Sequence, residues 1–364
     1  MTGIEASIAL NMVPNLGPVR LRKLLEVFET PERVLLARAS ELKTVDGIGK
    51  EVAEGIATWE SHVDLAAELK RIEEFGASVV TRVSPEYPRE LREIYNPPIV
   101  LYVWGTLTER DHRAISVVGS RKTSHYGLEC AKKLSYQIAY AGLTVVSGLA
   151  RGIDTSAHQG ALAAGGRTIA VIGSGLMDLY PEENRGLAEK IAESGAVVSE
   201  YPMTFPPARE NFPYRNRIVA GWCQGLLVVE AGLNSGALIT AGQAIDQGRQ
   251  VYAIPGPIDR PTSAGSNRLI QQGAKLVTGA GDILDDLNIL LPPEPKSRSV
   301  STSSAPFTPE EQAVLTSLEE GQTSLDDLVI KTNLPTQTVS STLLALEMKR
   351  RVKALPGQHF VKLP

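Results

Sequence analysis

The run Ala114-Ile115-Ser116-Val117-Val118-Gly119-Ser120-Arg121 decides the fold. Its isoleucine and two valines have the β-branched character of a buried strand, and Gly119 ends it. The same phrase recurs down the chain. Leu143-Thr144-Val145-Val146 leads into Ser147-Gly148-Leu149-Ala150-Arg151-Gly152-Ile153-Asp154, and residues 168–172 lead into Gly173-Ser174-Gly175. Residues 225–229 lead into Glu230-Ala231-Gly232-Leu233-Asn234-Ser235-Gly236. Ala196-Val197-Val198 precedes Glu200-Tyr201-Pro202, and Val251-Tyr252-Ala253-Ile254 precedes Pro255-Gly256-Pro257. Amphipathic stretches near residues 134–138, 157–162 and 187–191 lie between several of them. Near-continuous apolar strands alternating with helices predict an α/β domain, doubly wound, with a mostly parallel sheet covered on both faces.

In an open parallel sheet the ligand binds beyond the carboxyl ends of the strands. Glycine there lets a phosphate approach the backbone, and the following helix start supplies N–H donors. A single such loop is better explained by turn geometry. A whole row of them, with Arg121 and Arg151 included, points to an edge that binds phosphate. The type of phosphate narrows by pattern. A dinucleotide site calls for Gly-x-Gly-x-x-Gly after the first strand. Here Gly119-Ser120-Arg121-Lys122-Thr123 sets an arginine where pyrophosphate should meet backbone, and Gly173-Ser174-Gly175-Leu176-Met177-Asp178 lacks the last glycine. The Gly-x-x-x-x-Gly-Lys-Ser/Thr loop of nucleotide triphosphatases is absent from the sequence. NAD and ATP are disfavoured, and no cofactor is expected.

The longest insertion between strands is Phe205-Pro206-Pro207-Ala208-Arg209-Glu210-Asn211-Phe212-Pro213-Tyr214-Arg215-Asn216-Arg217. Read as a loop, it interleaves aromatic rings with arginines. Rings stack on exposed bases and guanidinium groups pair with phosphates, which is single-strand chemistry. The other reading is a proline-rich loop whose Phe205 and Phe212 plug into the core. The loop by itself does not choose between them.

Composition sets the outer bounds. The chain has 364 residues, 43% hydrophobic and 21% charged, enough for two or three packed domains. Net charge is −4, so a nucleic-acid partner would have to be held by a local cluster of cations and N–H groups. The start Met1-Thr2-Gly3-Ile4-Glu5 lacks a basic segment followed by an apolar run, and no long charge-free apolar stretch occurs. Neither leader nor membrane span is expected. Two cysteines, Cys130 and Cys223, make no disulfide framework or zinc cluster, and the chain reads as cytoplasmic.

Both ends differ from this middle region. Residues 1–64 are helical in pattern, and Pro14-Asn15-Leu16-Gly17-Pro18 and Val45-Asp46-Gly47-Ile48-Gly49-Lys50 resemble helix-hairpin-helix turns. Such turns hold a DNA phosphate or serve as packing units; the sequence leaves both open. Residues 65–290 form the sheet domain. Residues 291–307 are a Pro- and Ser-rich linker with too few apolar residues to pack. From 308 to 364, Thr308-Pro309 opens the first of three helices, and Val352-Lys353-Ala354-Leu355 and His359-Phe360-Val361-Lys362 form a two-stranded wing. The pattern is that of a winged helix. The run Lys349-Arg350-Arg351-Val352-Lys353 suits DNA contact or a solvated helix end complementing the dipole, and acidic residues elsewhere in this domain make a protein contact an equal alternative to DNA.

Taken together, these blocks resemble the DNA-processing protein A (DprA/Smf) family. The match runs through Val118-Gly119-Ser120-Arg121, Ser147-Gly148-Leu149-Ala150-Arg151-Gly152-Ile153-Asp154, Ser199-Glu200-Tyr201-Pro202, Phe212-Pro213-Tyr214-Arg215-Asn216-Arg217, Ser235-Gly236-Ala237-Leu238-Ile239-Thr240 and Gly265-Ser266-Asn267-Arg268. One departure is Gly221-Trp222-Cys223-Gln224, where the family usually carries a Ser-Asp-type turn; Trp222 is extra packing or an extra stacking surface. The resemblance implies an extended Rossmann-like fold that binds and protects incoming single-stranded DNA, dimerises, and loads the RecA recombinase during natural transformation. It also implies a DNA-binding set. Arg121, Arg215 and Arg217 would contact phosphates, with Arg151, Phe212 and Asn216 beside them. Gly119, Ser120, Ser147, Gly148, Ser235 and Gly236 would lend backbone or hydroxyl contacts. No catalytic residue is expected.

The rival reading is an enzyme cleaving a nucleotide's N-glycosidic bond, as in lysine-decarboxylase-like Rossmann proteins. Glu230 beside the Ser235-Gly236 turn is its support. Against it, the Pro-Gly-Gly-x-Gly-Thr signature is missing, and Asp154, His158 and Glu200 are isolated polar groups without a sequence-local nucleophile and base.

Overall fold

The computed structural model describes residues 1–289, 307–318, 322–349, 351–355 and 357–363. It divides into two compact units, Met1–Pro292 and Pro293–Pro364. The expected linker at 291–307 lies outside the described residues, apart from Phe307.

The first unit is built on a nine-stranded sheet. Its strands are β1 (Ser78–Thr81), β2 (Val100–Gly105), β3 (Ala114–Val118), β4 (Thr144–Ser147), β5 (Thr168–Val171), β6 (Ala196–Ser199), β7 (Gly225–Val228), β8 (Gln250–Ala253) and β9 (Lys275–Leu276). In space they run β1-β2-β6-β5-β4-β3-β7-β8-β9. Strands β3 to β9 pair in parallel, while β2 runs antiparallel to β6 and to β1. The fold is therefore doubly wound α/β, as expected. The strands quoted from the sequence form its centre, and β1, β2 and β9 widen it at both margins.

The order reverses at β3, from which the chain moves outward first through β4, β5 and β6 and then, on the other side, through β7, β8 and β9. Such a switch point opens a crevice above the carboxyl ends of the neighbouring strands. Central strands buried on both faces explain their apolar runs: every residue of β3, β4, β5, β6 and β7 is buried. Helices His125–Tyr140 and Ile153–Ala163 pack with Ile115, Val117 and Val145, whereas Asn211–Trp222 and Gly236–Asp246 pack with Ala114, Val146 and Leu226. Along β3, alternate residues thus serve opposite cores.

The N-terminal helices, Gly3–Met12 through Leu65–Phe75, share a core with the sheet's margin. Glu68, fully buried, accepts the Met203 N–H at 2.7 Å, and the Asn11 side chain donates to the Glu200 carbonyl at 2.8 Å. The two hairpins match in geometry. Asn15 and Gly47 both have positive φ, at 62° and 83°, and Gly17 and Gly49 occupy the following N-caps.

The second unit is a winged helix. Helices Pro309–Ser317, Leu325–Thr332 and Thr336–Met348 enclose Val314, Leu328, Val339 and Leu346. Strands β10 (Thr323–Ser324), β11 (Val352–Leu355) and β12 (His359–Lys362) pair in the order β10-β12-β11. Thr308 caps the first helix and Glu311 completes the capping box. Lys349 is paired with Glu311 at 2.6 Å, and Arg350 lies outside the described residues. Among the described residues no helix is long and apolar enough to cross a membrane.

The structure corrects the sequence reading at one segment. Residues 211–217 do not belong to an exposed loop; they are the first turns of the helix Asn211–Trp222. Pro213 is tolerated because the first-turn N–H groups have no partner inside a helix. Winding the segment turns Arg215 and Arg217 inward, where they are 4% and 3% exposed. Trp222 is buried and donates to the Asp111 carbonyl at 3.1 Å, so packing rather than stacking is its role.

Candidate nucleic-acid interface

A cleft of about 1050 Å³ opens above β3 at the switch point. Its floor is the turn after β3, where the Ser120 N–H donates to the Glu230 carbonyl at 2.8 Å. One wall is the loop after β7 and the start of the helix Gly236–Asp246, capped by Ser235, whose hydroxyl accepts from Ala237 N–H. The opposite wall is the first turn of Asn211–Trp222 together with Tyr180. Gly119, Ser120, Arg121, Gly148, Phe212, Arg215, Asn216, Ser235 and Gly236 all line this cleft. The sheet edge gathers them from segments more than a hundred residues apart.

Cations dominate the exposed rim. Arg121, Lys122 and Arg209 are all exposed or half-exposed and all border the cleft. The Arg121 guanidinium lies over the Phe212 ring, 5.1 Å from its centre, and the Tyr180 ring meets Phe212 at 5.6 Å. Sequence reasoning missed Arg209, Lys122 and Tyr180 as site residues. Arg209 stands in the aromatic-rich segment, in the turn just ahead of the helix Asn211–Trp222 and three residues before Phe212.

Other expected site residues are engaged elsewhere. Ser147 is fully buried and donates to the Val117 carbonyl at 2.6 Å, stitching β4 to β3. Arg151 is exposed but paired with Glu183 through two bonds of 2.7 and 2.5 Å, beyond the main cleft. Arg215 donates to the carbonyls of Gly148, at 2.8 Å, and Val171. Arg217 pairs with Glu200, donates to the Asn96 carbonyl at 3.1 Å and lies 4.0 Å from the Tyr214 ring centre. Arg217 supports the wall from behind, whereas Arg215 reaches the cleft lining while its guanidinium is bonded inward.

Burial sets the charges beneath the site. The Asp154 carboxyl is pushed up to about 6 by burial, although Arg215 and the Gly148 and Ala150 N–H groups favour its ionised form. Burial draws Arg215 down to about 10, still charged at neutral pH. His158 is drawn down to about 3, first by burial and then by Arg215; its Nδ1 bonds the Thr168 hydroxyl at 2.7 Å. It joins helix to strand, away from the cleft. Burial pushes the Glu230 carboxyl up most, but bonds from Thr123, Thr262 and Ser124 outweigh it and hold the group below its usual range. Thr123 and both donors of Ser124 converge on one oxygen, Oε2, at 2.5 to 3.0 Å. Glu230 thus ties down the turn that carries Arg121. Among the described residues no group of three or more His, Cys, Asp or Glu is placed to hold a metal ion.

Comparison with known proteins agrees with this architecture. The family model of DNA recombination-mediator protein A matches residues 78–288, and the DprA winged helix domain matches residues 294–358. The chain belongs to the DNA recombination-mediator protein A family. Within that family, Protein Smf of Synechocystis is 35% identical over 97% of both chains. The DNA processing protein DprA of Streptococcus pneumoniae is 46% identical over 54% of this chain and 70% of its own. An X-ray structure of the pneumococcal protein superposes with a TM-score of 0.70 at 36% identity, covering 79% of this chain and 98% of that one. A Helicobacter pylori member, described for its single-stranded DNA binding mode, gives a TM-score of 0.53 at 26% identity, over 58% of this chain and 95% of that one.

Proposed function

We propose that the cleft binds single-stranded DNA. The observation that carries this is the Arg121–Phe212 pair at its rim, 5.1 Å apart, with Arg209 beside it. A flat ring backed by a guanidinium takes a base on its free face and a phosphate on the cation. The opposite wall suits a second phosphate, because Gly236 opens a helix at an uncrowded point and has no neighbouring atom within 4 Å of a Cβ position. Arg121, Arg209, Phe212, Ser120, Asn216, Ser235 and Gly236 are the proposed contacts. Gly119, Gly148, Ser147, Arg151, Arg215 and Arg217 shape or brace the site.

The same reading makes the protein a binding factor that protects incoming single strands and loads the RecA recombinase during natural transformation, as a cytoplasmic homodimer. Family membership and the pneumococcal and Helicobacter relatives support it. The glycosidase alternative is weakened, since Oε2 of Glu230 is engaged in holding the 123–124 turn. A gel-shift comparison of single-stranded and blunt duplex oligonucleotides of one length, at matched salt, tests the proposal. Single strands should bind far more tightly, because stacking needs unpaired bases; equal affinities would overturn it.

A further inference from the structure

The cleft is not the end of the aromatic surface. β5 and β6 continue the sheet from the cleft toward β2, and because β2 is antiparallel to β6, the residues before Val100 emerge at the same edge as those after Ser199. Tyr201 and Phe205 follow β6 and stack with ring centres 4.9 Å apart, 19° from parallel. Tyr214, two residues past Phe212, covers the Arg217 guanidinium. Arg217 in turn bonds the Asn96 carbonyl and so ties Tyr214 to the segment ahead of β2. There Arg22, from the N-terminal helices, lies 5.3 Å from the Tyr95 ring centre and donates to the Tyr95 carbonyl at 3.1 Å.

Phe205, Tyr214 and Tyr95 are nonetheless 38%, 38% and 70% exposed. The pairing of ring and guanidinium in the cleft therefore repeats twice along one edge: Tyr214 with Arg217, then Tyr95 with Arg22. Exposed rings spaced along the edge, Phe205 backed by Tyr201 and Tyr214 and Tyr95 each backed by an arginine, suit successive bases better than the continuous apolar patch that a protein partner would cover. We propose that this run is a second subsite for single-stranded DNA, taking the nucleotides that leave the cleft past Phe212 and leading them toward the N-terminal helical domain. The proposal rests on the single-strand reading of the cleft. It also gives that domain a place on the DNA path through Arg22, independent of its hairpins.

Oligothymidylates of about 6 and about 20 nucleotides separate the two subsites, the shorter filling the cleft and the longer both. Tyr95→Ala/Phe205→Ala removes two partly exposed rings and should leave the protein folded by thermal melt; adding Tyr214→Ala extends the series. The double variant should bind the long strand roughly tenfold more weakly than the wild type and the short one within about twofold. Arg121→Ala should weaken both. A folded double variant with unchanged long-strand affinity, while Arg121→Ala remains impaired, overturns the second subsite and leaves the cleft standing. Equal losses on both lengths place the rings within the cleft and also overturn it. A wild type that binds neither length removes the single-strand reading and this proposal together.

Discussion

The Arg121 guanidinium stands 5.1 Å from the centre of the Phe212 ring, although one residue comes from the floor of the cleft and the other from a wall. Arg121 lies in the turn after β3 and Phe212 in the first turn of the helix after β6, so their meeting depends on the strand order that places β3 at the switch point. The pair sets a cation beside a half-buried aromatic ring in the lining of the cleft. Among the described residues Arg121 forms no ion pair with a carboxylate, unlike Arg151 and Arg217, which are held by Glu183 and Glu200.

Replacing Arg121 with alanine should therefore act on binding rather than on folding. Removing one charge-assisted bond to a phosphate costs about 1.5–3 kcal/mol, or roughly 10- to 150-fold in affinity. The log–log salt slope for single strands should shrink by about 0.7, as expected when one fewer phosphate is neutralised. Thermal stability should barely move, because an exposed arginine adds little to the fold. Affinity measured across a salt series checks this; an unchanged slope in a folded variant places the DNA elsewhere.

Arg217→Ala should do the reverse. It strips Glu200 of its buried partner, and breaking such a pair from one side costs about 3–5 kcal/mol. Burial opposes the Arg217 charge, but Glu200 and the adjoining tyrosines outweigh it and raise its pKa. The variant should melt well below the wild type, and Arg217→Met/Glu200→Leu should recover much of the loss. If the single variant keeps its stability but loses short-strand affinity, Arg217 contacts DNA after all.

The two arginines differ in how far the sequence reveals them. The central strands were legible because burial on both faces forces Val, Ile and Leu into continuous runs, as in Ala114–Val118. The clustering of Gly119, Ser120, Arg121, Ser235 and Gly236 was legible too, since strand-end turns of one parallel sheet must share an edge. The inward turn of Arg217 was not. It requires the helix to start at Asn211 despite Pro213, and Glu200, on a different segment, to be waiting below. Likewise Val100–Gly105 carries strand-like residues, but its antiparallel seat beside β6 follows from long-range pairing that no local pattern encodes.

Two buried groups should shape the stability profile in acid, with opposite signs. His158 titrates near 3 in the fold against 6.5 unfolded, so the unfolded chain takes up more protons between those values. Stability is full above about pH 6.5 and falls as the pH drops toward 3. Asp154 is raised to about 6 from 3.8, so the folded chain holds the extra proton, and its contribution falls as the pH rises between 3.8 and about 6. Asp154→Asn should therefore steepen the acid loss in that window, and His158→Asn should flatten it, each by up to about 1.4 kcal/mol per pH unit. Urea denaturation at several pH values reads both slopes; parallel curves for all three proteins would contradict the assignment.

Two glycines of the cleft should respond to alanine in opposite ways. A Cβ at Gly148 would sit 2.7 Å from Arg215 Nη2 and 2.8 Å from Asp154 Oδ2. Arg215 cannot swing away freely, because it is buried and bonded to the carbonyls of Gly148 and Val171, while Asp154 accepts the Gly148 N–H at 3.1 Å. Gly148→Ala must displace one of them, at a cost of about 1–3 kcal/mol, and lower the melting temperature. Gly236 has nothing within 4 Å of its Cβ position and begins a helix with an ordinary φ. Gly236→Ala should leave stability unchanged or raise it by about 0.4–1 kcal/mol, since alanine restricts the unfolded chain. The added methyl instead occupies the place where a phosphate would approach the helix start, so single-strand affinity should fall while the melt holds. Thermal denaturation and oligonucleotide titration on the same two variants separate the outcomes. If Gly236→Ala binds DNA as tightly as the wild type, the phosphate does not sit on that helix.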